Sequence, residues 1–183
     1  TVMAQVALHV SLLAHTPCGG DVVARASRLC YSASRIADLD RDVETSGGAQ
    51  AYLDRLMSLG HLSPVEHASF TFGVEGVSRA LLAQITRHRI ASFSVQSQRY
   101  VKNAELDYVI PPSIQALGEE AAAEYREQMK TLHGWYLNWL ERTGRAEDAR
   151  FVLPNAAATR MILTMNAREL THFFHLRCCA RAQ

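Results

Sequence analysis

Hydrophobic residues alternate in some segments of the chain and recur every third or fourth position in others, and these two rhythms separate strands from helices. Ala4 to Leu13 carries Val6, Leu8, Val10 and Leu12 at every second position, which predicts a strand. Asp21 is placed to cap a helix with Val22, Val23, Ala26, Leu29 and Cys30 on its apolar side. The polar stretch Asp38 to Gly48 reads as loop, and Ala51 to Leu59 as a helix ended by Gly60. Ser63-Pro64-Val65-Glu66 has the form of a helix start, with Ser63 as cap, Pro64 in the first turn and Glu66 completing a capping box. Phe70, Phe72 and Val74 predict a strand ending at Gly76, and Ser78 caps a helix with Leu81, Leu82, Ile85 and His88 along one side.

After Arg89 a run of Ser, Gln and Phe shows no helical stripe and reads as loop, punctuated by Pro111-Pro112. Glu119 to Leu140 predicts the longest helix, with Ala121, Tyr125, Met129, Leu132, Tyr136 and Trp139 as a core or subunit-interface stripe. A short helix follows over Glu147 to Leu153, stopped near Pro154, and Met161, Leu163 and Met165 alternate as a strand. Asn166-Ala167-Arg168-Glu169 is a second capping box, opening a helix with Leu170, Phe173, Phe174 and Leu176. Leu176 to Gln183 shows no stop signal, so that helix is expected to run on and the native chain to continue. Strands and helices mix without a βαβ rhythm, which predicts a single α+β domain with a mixed or antiparallel sheet flanked by helices.

Composition narrows the class. The chain has 183 residues, 48% of them hydrophobic and 20% charged, as in a globular domain with a sizeable core. A net charge of +1 gives no whole-protein case for binding nucleic acid or a membrane surface, and no apolar run is long enough to span a bilayer. No leader pattern opens the chain at Thr1, and Cys18, Cys30, Cys178 and Cys179 form no C-x-x-C pair, which predicts reduced thiols and a cytoplasmic location.

The distribution of charge tells more than its sum. Between Gly76 and Ala104 stand Arg79, Arg87, Arg89, Arg99 and Lys102 with no acid, and His88 adds a further possible cation. Unpaired arginines suit phosphate, which their planar forks grip with two bonds, and Ser92, Ser94, Gln96, Ser97 and Gln98 supply more donors. Gln84 and Arg87 are three apart on the predicted helix and are placed to grip one ligand. Arg87, His88 and Arg89 also fall where that helix should end, so capping and surface solvation explain part of the cluster. Arg150 before Phe151-Val152-Leu153, and Arg177 after Leu176, are cations in apolar settings that need a partner, either an internal acid or a ligand. His61, His67, His172 and His175 form no H-E-x-x-H pattern, so no metal is expected. Phe93 and Tyr100, interleaved with the basic loop, leave a second reading open, a module that stacks single-stranded bases.

Arg87-His88-Arg89, seven residues, then Ser97 matches the R-H-R-x7-S signature of the flavin-dependent thymidylate synthases. Gly60-His61-Leu62-Ser63-Pro64-Val65-Glu66-His67 with Phe70-Thr71-Phe72 resembles that family's G-H-x-[ST]-P-x-E-H-x-x-F-x-F segment. Ser97-Gln98-Arg99-Tyr100, Leu153-Pro154, Asn166-Ala167-Arg168 and Leu176-Arg177 also fall in family order, so the resemblance covers essentially the whole chain.

The resemblance implies reductive methylation of dUMP to dTMP, with 5,10-methylenetetrahydrofolate as carbon donor and NADPH-reduced FAD. It implies that Gln84, Arg87, Val95, Gln96, Ser97, Gln98, Arg99, Arg150 and Arg177 hold dUMP. It implies that Ser63, Arg87, His88, Arg89, Val95, Asn166, Ala167, Arg168 and His172 hold FAD. Arg177 matches the position beside N3 of the pyrimidine, where a guanidinium stabilises the N3 anion and so builds enolate character at C5. Ser97 then reads as a phosphate ligand, with no base beside it to make it a nucleophile. The family is usually a homotetramer with sites shared between subunits. Two departures stand out. Val95 replaces a polar or acidic residue of some members, which leaves backbone contact there. Family chains also continue past Gln183 with a helical extension that residues 1–183 lack.

Overall fold

In the computed structural model, which describes residues 4–101 and 106–181, four strands pair in the order β1-β2-β4-β3. They are β1 (His9–His15), β2 (Ser69–Ser78), β3 (Ala91–Val95) and β4 (Ala158–Asn166). The sheet is antiparallel, and together with the helices it makes the α+β fold that the mixed periodicities predict. The helices are α1 (Gly19–Leu29), α2 (Leu39–Thr45), α3 (Gly48–Ser58), α4 (Arg79–Ile85), α5 (Pro112–Gln115), α6 (Glu119–Thr143), α7 (Ala146–Ala149) and α8 (Ala167–Arg177). Among the described residues no helix is long and apolar enough to cross a membrane. The chain divides into two compact units, Thr1–Ser11, Gly73–Arg87 and Phe93–Ile162 in the first, Leu12–Phe72, His88–Ser92 and Leu163–Gln183 in the second.

In the first unit, α6 supplies Ala122, Met129, His133 and Tyr136 as its buried face, and Met129 packs with Tyr108 and Ile110. Each such large apolar side chain taken from water contributes about 1.5–3 kcal/mol. The helix runs three residues beyond the predicted Leu140, to Thr143, where Gly144 turns left-handed at φ 68° and returns its N–H to the Leu140 carbonyl. The predicted stripe is rotated in part: Met129 and Tyr136 are buried, whereas Trp139 is exposed. Ser78 caps α4 as expected, its hydroxyl accepting from the Leu81 N–H. That helix stops at Ile85, so Arg87 lies beyond its end and does not share it with Gln84. Gly76 occupies φ 69° where β2 passes residue 7, and a Cβ there would lie 1.9 Å from the Ala7 carbonyl oxygen. β2 runs through this glycine to Ser78 instead of ending at it.

In the second unit, Val23 of α1, Leu56 of α3, Val65 and Ala68 form the core, with Leu53, Leu62, Phe70 and Ala167 packed against it. Several local readings change here. α1 begins at Gly19 behind Cys18, which takes φ 48°; Asp21 lies inside the first turn and does not cap. The segment expected to be loop over 38–48 contains α2, because Leu39 and Val43, one turn apart, are both buried. Ser63 makes no capping hydrogen bond, and Pro64–His67 is a single 3-10 turn, not a longer helix. Asn166 does cap α8, its Oδ1 accepting from the Glu169 N–H at 2.9 Å. Helix α8 ends at Arg177, and residues 178–181 turn away from the helical path the sequence suggested.

Both edge strands depart from expectation. β1 is placed five residues later than the predicted start, and the alternating Leu8, Val10 and Leu12 are exposed. β3 occupies the run read as loop after Arg89: Ala91, Phe93 and Val95 are half-buried while Ser92 and Ser94 face solvent. An edge strand with one polar face needs only backbone pairing with its neighbour, and its Ser-rich side masked a period-two signal.

Candidate active site

The first unit gathers most of the predicted nucleotide-binding cations. The loop after β3 is fixed at Gln96 from two sides: its N–H donates to the Arg160 carbonyl at 3.1 Å, and its carbonyl accepts from an Arg79 Nη at 2.8 Å. Ser97 then accepts the Arg99 N–H on its hydroxyl at 3.1 Å, and its carbonyl accepts from Val101, so Ser97 shapes the turn that presents Gln98 and Arg99. Arg99 reaches the Glu147 carboxylate at 3.3 Å, and its guanidinium stands 5.4 Å from the Tyr100 ring centre. Arg150 donates to the Glu147 carbonyl at 3.2 Å. Glu147, at the start of α7, therefore joins Arg99 through its side chain and Arg150 through its backbone.

Arg79 is the uncompensated member of this group. Its Nε is buried without a hydrogen-bond partner. Burial, and secondarily the charge of Arg150, hold its pKa below the usual arginine value. Two like charges brought close together favour an anion. Gln84 lies on α4 and Arg87 just past its end, both exposed, and Val95 closes β3 half-buried. Lys102, the fifth basic residue of the run, lies outside the described residues.

The second unit carries Arg177 and the predicted flavin-binding residues other than Arg87 and Val95, which belong to the first. His88 is buried, its side chain 3% exposed, and its Nδ1 lies 2.7 Å from Oε1 of Glu169, 8% exposed. On the other side of the ring, Arg177 Nε donates to His88 Nε2 at 3.4 Å. His172 packs edge-on against the imidazole and Phe173 tilts across it, with ring centres 5.8 Å and 5.2 Å away. Helix α8 thus supplies Glu169, His172, Phe173 and Arg177 around one histidine. At its start, Ala167 donates its N–H to the Ala68 carbonyl at 2.7 Å, and Arg168 pairs with Glu66. Ser63 and Arg89 are exposed.

Among the described residues, His88, Glu169 and His172 bring possible ligand atoms within 4.8 Å of one another. Both ring nitrogens of His88 are already engaged, one by a carboxylate and one by a guanidinium, and Arg177 sets a fixed positive charge against any cation. The hydrogen-bonded chain runs Glu169–His88–Arg177, with His172 packed on the ring, and the trio is a poor cation site.

Glu169 and Glu147 are the residues that the sequence alone does not single out. Glu169 reads as the second half of a capping box, yet its carboxylate turns to His88. The available signal is its register: it stands one turn before Phe173, so a carboxylate there shares a face with an apolar ring. Glu147 carries no comparable signal in an ordinary helix start.

Residues 11–183 match the family model described as "Thymidylate synthase complementing protein". A "Flavin-dependent thymidylate synthase" of Geobacter sulfurreducens is 50% identical over 178 residues, covering 96% of this chain and 76% of that protein. A protein of the same description from Nitratidesulfovibrio vulgaris is 48% identical over 187 residues, with 95% of this chain and 76% of its own length covered. One from Pyrococcus horikoshii is 40% identical over 178 residues, covering 95% of this chain and 72% of that protein.

Proposed function

The chain belongs to the family of flavin-dependent thymidylate synthases, and from that premise we propose that it methylates dUMP to dTMP with 5,10-methylenetetrahydrofolate as carbon donor and NADPH-reduced FAD as reductant. The observation that carries the nucleotide half of this reading is the cluster of Arg79, Arg99 and Arg150: among the described residues its carboxylate partner is the exposed Glu147, and Arg79 has a buried, unused N–H. A nucleotide phosphate is the anion that such forks fit.

Arg99 and Arg150 hold the phosphate, with Gln84, Arg87, Gln96, Ser97, Gln98 and the backbone at Val95 completing the grip and orienting the base. Arg177 stands at the pyrimidine, where its charge stabilises the anion formed as N3 loses its proton and raises the nucleophilicity of C5. The donors of the second unit fit an anionic dinucleotide. Arg89 and Arg168 are cations for a pyrophosphate, Ser63, Asn166 and His172 are polar contacts, and Arg87, Val95 and the backbone at Ala167 complete the set. His88, walled by His172 and Phe173, makes the ordered edge of that surface. FAD, once reduced, supplies the reducing equivalents of the methylation.

Residues 1–183 form one domain of a homotetramer in the cytoplasm. The exposed Leu8, Val10 and Leu12, together with Trp135 and Trp139 of α6, support assembly, because apolar side chains of this number are costly to leave in water. The test is optical and chemical. The purified protein should carry flavin absorbance that shifts when dUMP is added, and should form dTMP from dUMP, the folate and NADPH. A preparation that neither contains nor takes up FAD would reject this function.

A further inference from the structure

We propose that Glu169 is a positioning residue of this enzyme, holding His88 as the Nδ1–H tautomer so that the Nε2 lone pair receives and aims the guanidinium of Arg177. The proposal rests on the role given above to Arg177. It adds a residue that the family motif does not mark, and a reason for the histidine between the two motif arginines to be buried.

Two independent contacts fix the tautomer. A carboxylate only accepts hydrogen bonds, so the 2.7 Å approach of Glu169 Oε1 puts the proton on Nδ1. A guanidinium only donates, so the 3.4 Å contact from Arg177 Nε requires a lone pair on Nε2. Both conditions describe one neutral ring with its proton on the Glu169 side. The opposite tautomer would set an N–H against the N–H of Arg177 and leave Nδ1 facing carboxylate lone pairs, two repulsive contacts in place of two attractive ones.

The surroundings make the arrangement stiff. Side-chain exposures of 3% and 8% leave the pair little water to substitute for a lost partner, and breaking a buried contact of this kind costs more than an exposed one. His172 and Phe173 pack on the imidazole and oppose a ring flip. Glu169 stands in the first turn of α8 and Arg177 in its last, so one imidazole ties together the two ends of that helix. A second partner behind a functional imidazole selects its tautomer and orientation. Here the orientation passes one step further, to a guanidinium, which holds its own charge while the imidazole sets its direction.

A merely structural pin would also bind Glu169 to His88, so the test reads the ring itself. With 15N-labelled histidine in the FAD-bound enzyme, the His88 signals, identified by their loss in His88→Asn, should show a protonated-type shift at Nδ1 and a lone-pair-type shift at Nε2. Glu169→Gln offers both a donor and an acceptor, so it should mix or reverse that pattern. It should also lower kcat by about ten- to a hundredfold, as loss of the hydrogen-bond partner behind a metal-binding histidine does, with FAD content retained. Glu169→Asp keeps an acceptor-only group and should restore the pattern and most of kcat. A wild-type His88 protonated at Nε2 overturns the proposal, even if neither Glu169 variant folds. So does a Glu169→Gln enzyme with unchanged shifts and unchanged kcat. Failure of the wild type to make dTMP would instead reject the functional reading, a result separate from the ring-nitrogen pattern.

Discussion

Replacing Arg79 by methionine should separate the stability of the ligand-free protein from its affinity for nucleotide. Methionine keeps a long flexible stem and removes the charge. The lost contact is one charge-assisted hydrogen bond to the Gln96 carbonyl at 2.8 Å, about 1.5–3 kcal/mol. Against it stands the buried Nε, which has no hydrogen-bond partner, and a group left in that state costs about 1–3 kcal/mol. Relief from the neighbouring charge of Arg150 adds to the gain. The two sides cancel to within roughly 1–2 kcal/mol, so the ligand-free unfolding midpoint should move by no more than about 2–8 °C in either direction. With dUMP present the sum changes, because the phosphate gives the unused N–H an anionic partner. Loss of that contact, again about 1.5–3 kcal/mol, weakens dUMP binding roughly tenfold to a hundredfold. At about 2–4 °C per kcal/mol for a chain of this size, dUMP-induced thermal stabilisation should shrink by about 3–12 °C. The assay is a pair of calorimetric melts with and without saturating dUMP, alongside a binding titration. A variant that loses more than about 3 kcal/mol without ligand, yet keeps its full dUMP shift, would refute the reasoning.

Three further outcomes are expected. Gly76→Ala combines a left-handed backbone at φ 69° with a Cβ 1.9 Å from the Ala7 carbonyl oxygen, and should cost about 2–5 kcal/mol, read as a lowered chemical-denaturation midpoint. A loss under about 1 kcal/mol would show that the strand gives way at no cost. Glu147→Gln frees Arg99 from an exposed ion pair worth about 0.2–1 kcal/mol, so dUMP should bind up to about fivefold more tightly, whereas weaker binding would show that Glu147 orients Arg99 for the ligand. The Asp42 carboxyl is held below its ordinary value near 3.8 by hydrogen bonding from the Ser34 and Ser32 side chains, with Arg28 and Arg41 adding charge. A depressed folded pKa contributes stability that is present above about pH 4 and lost as pH falls through the folded value. Asp42→Asn should therefore unfold earlier than wild type at neutral pH and converge with it in acid; parallel curves would discount the pair.

The local grammar of the chain was legible wherever a segment needed only its own residues. Ser78 and Asn166 cap their helices because a short side-chain oxygen three residues before an amide N–H meets it in almost any surroundings. Met161, Leu163 and Met165 alternate because β4 lies between two partner strands and buries that face. The run of cations without an acid between Gly76 and Ala104 is visible in the sequence, but that Arg99 pairs with Glu147 and Arg168 with Glu66 is not.

Tertiary structure decided the partners. Ser92 and Ser94 look like loop, and only pairing with β4 makes residues 91–95 a strand. Leu39 and Val43 sit in an acidic stretch, and only burial of both makes it a helix. Glu169 could have closed its own capping box, since the geometry lies within reach of any such helix start. It turns instead to a histidine 81 positions earlier in the chain. A carboxylate chooses the donor with the least competing water, and no count along the sequence reveals which donor that is, because water is excluded only after distant segments have packed.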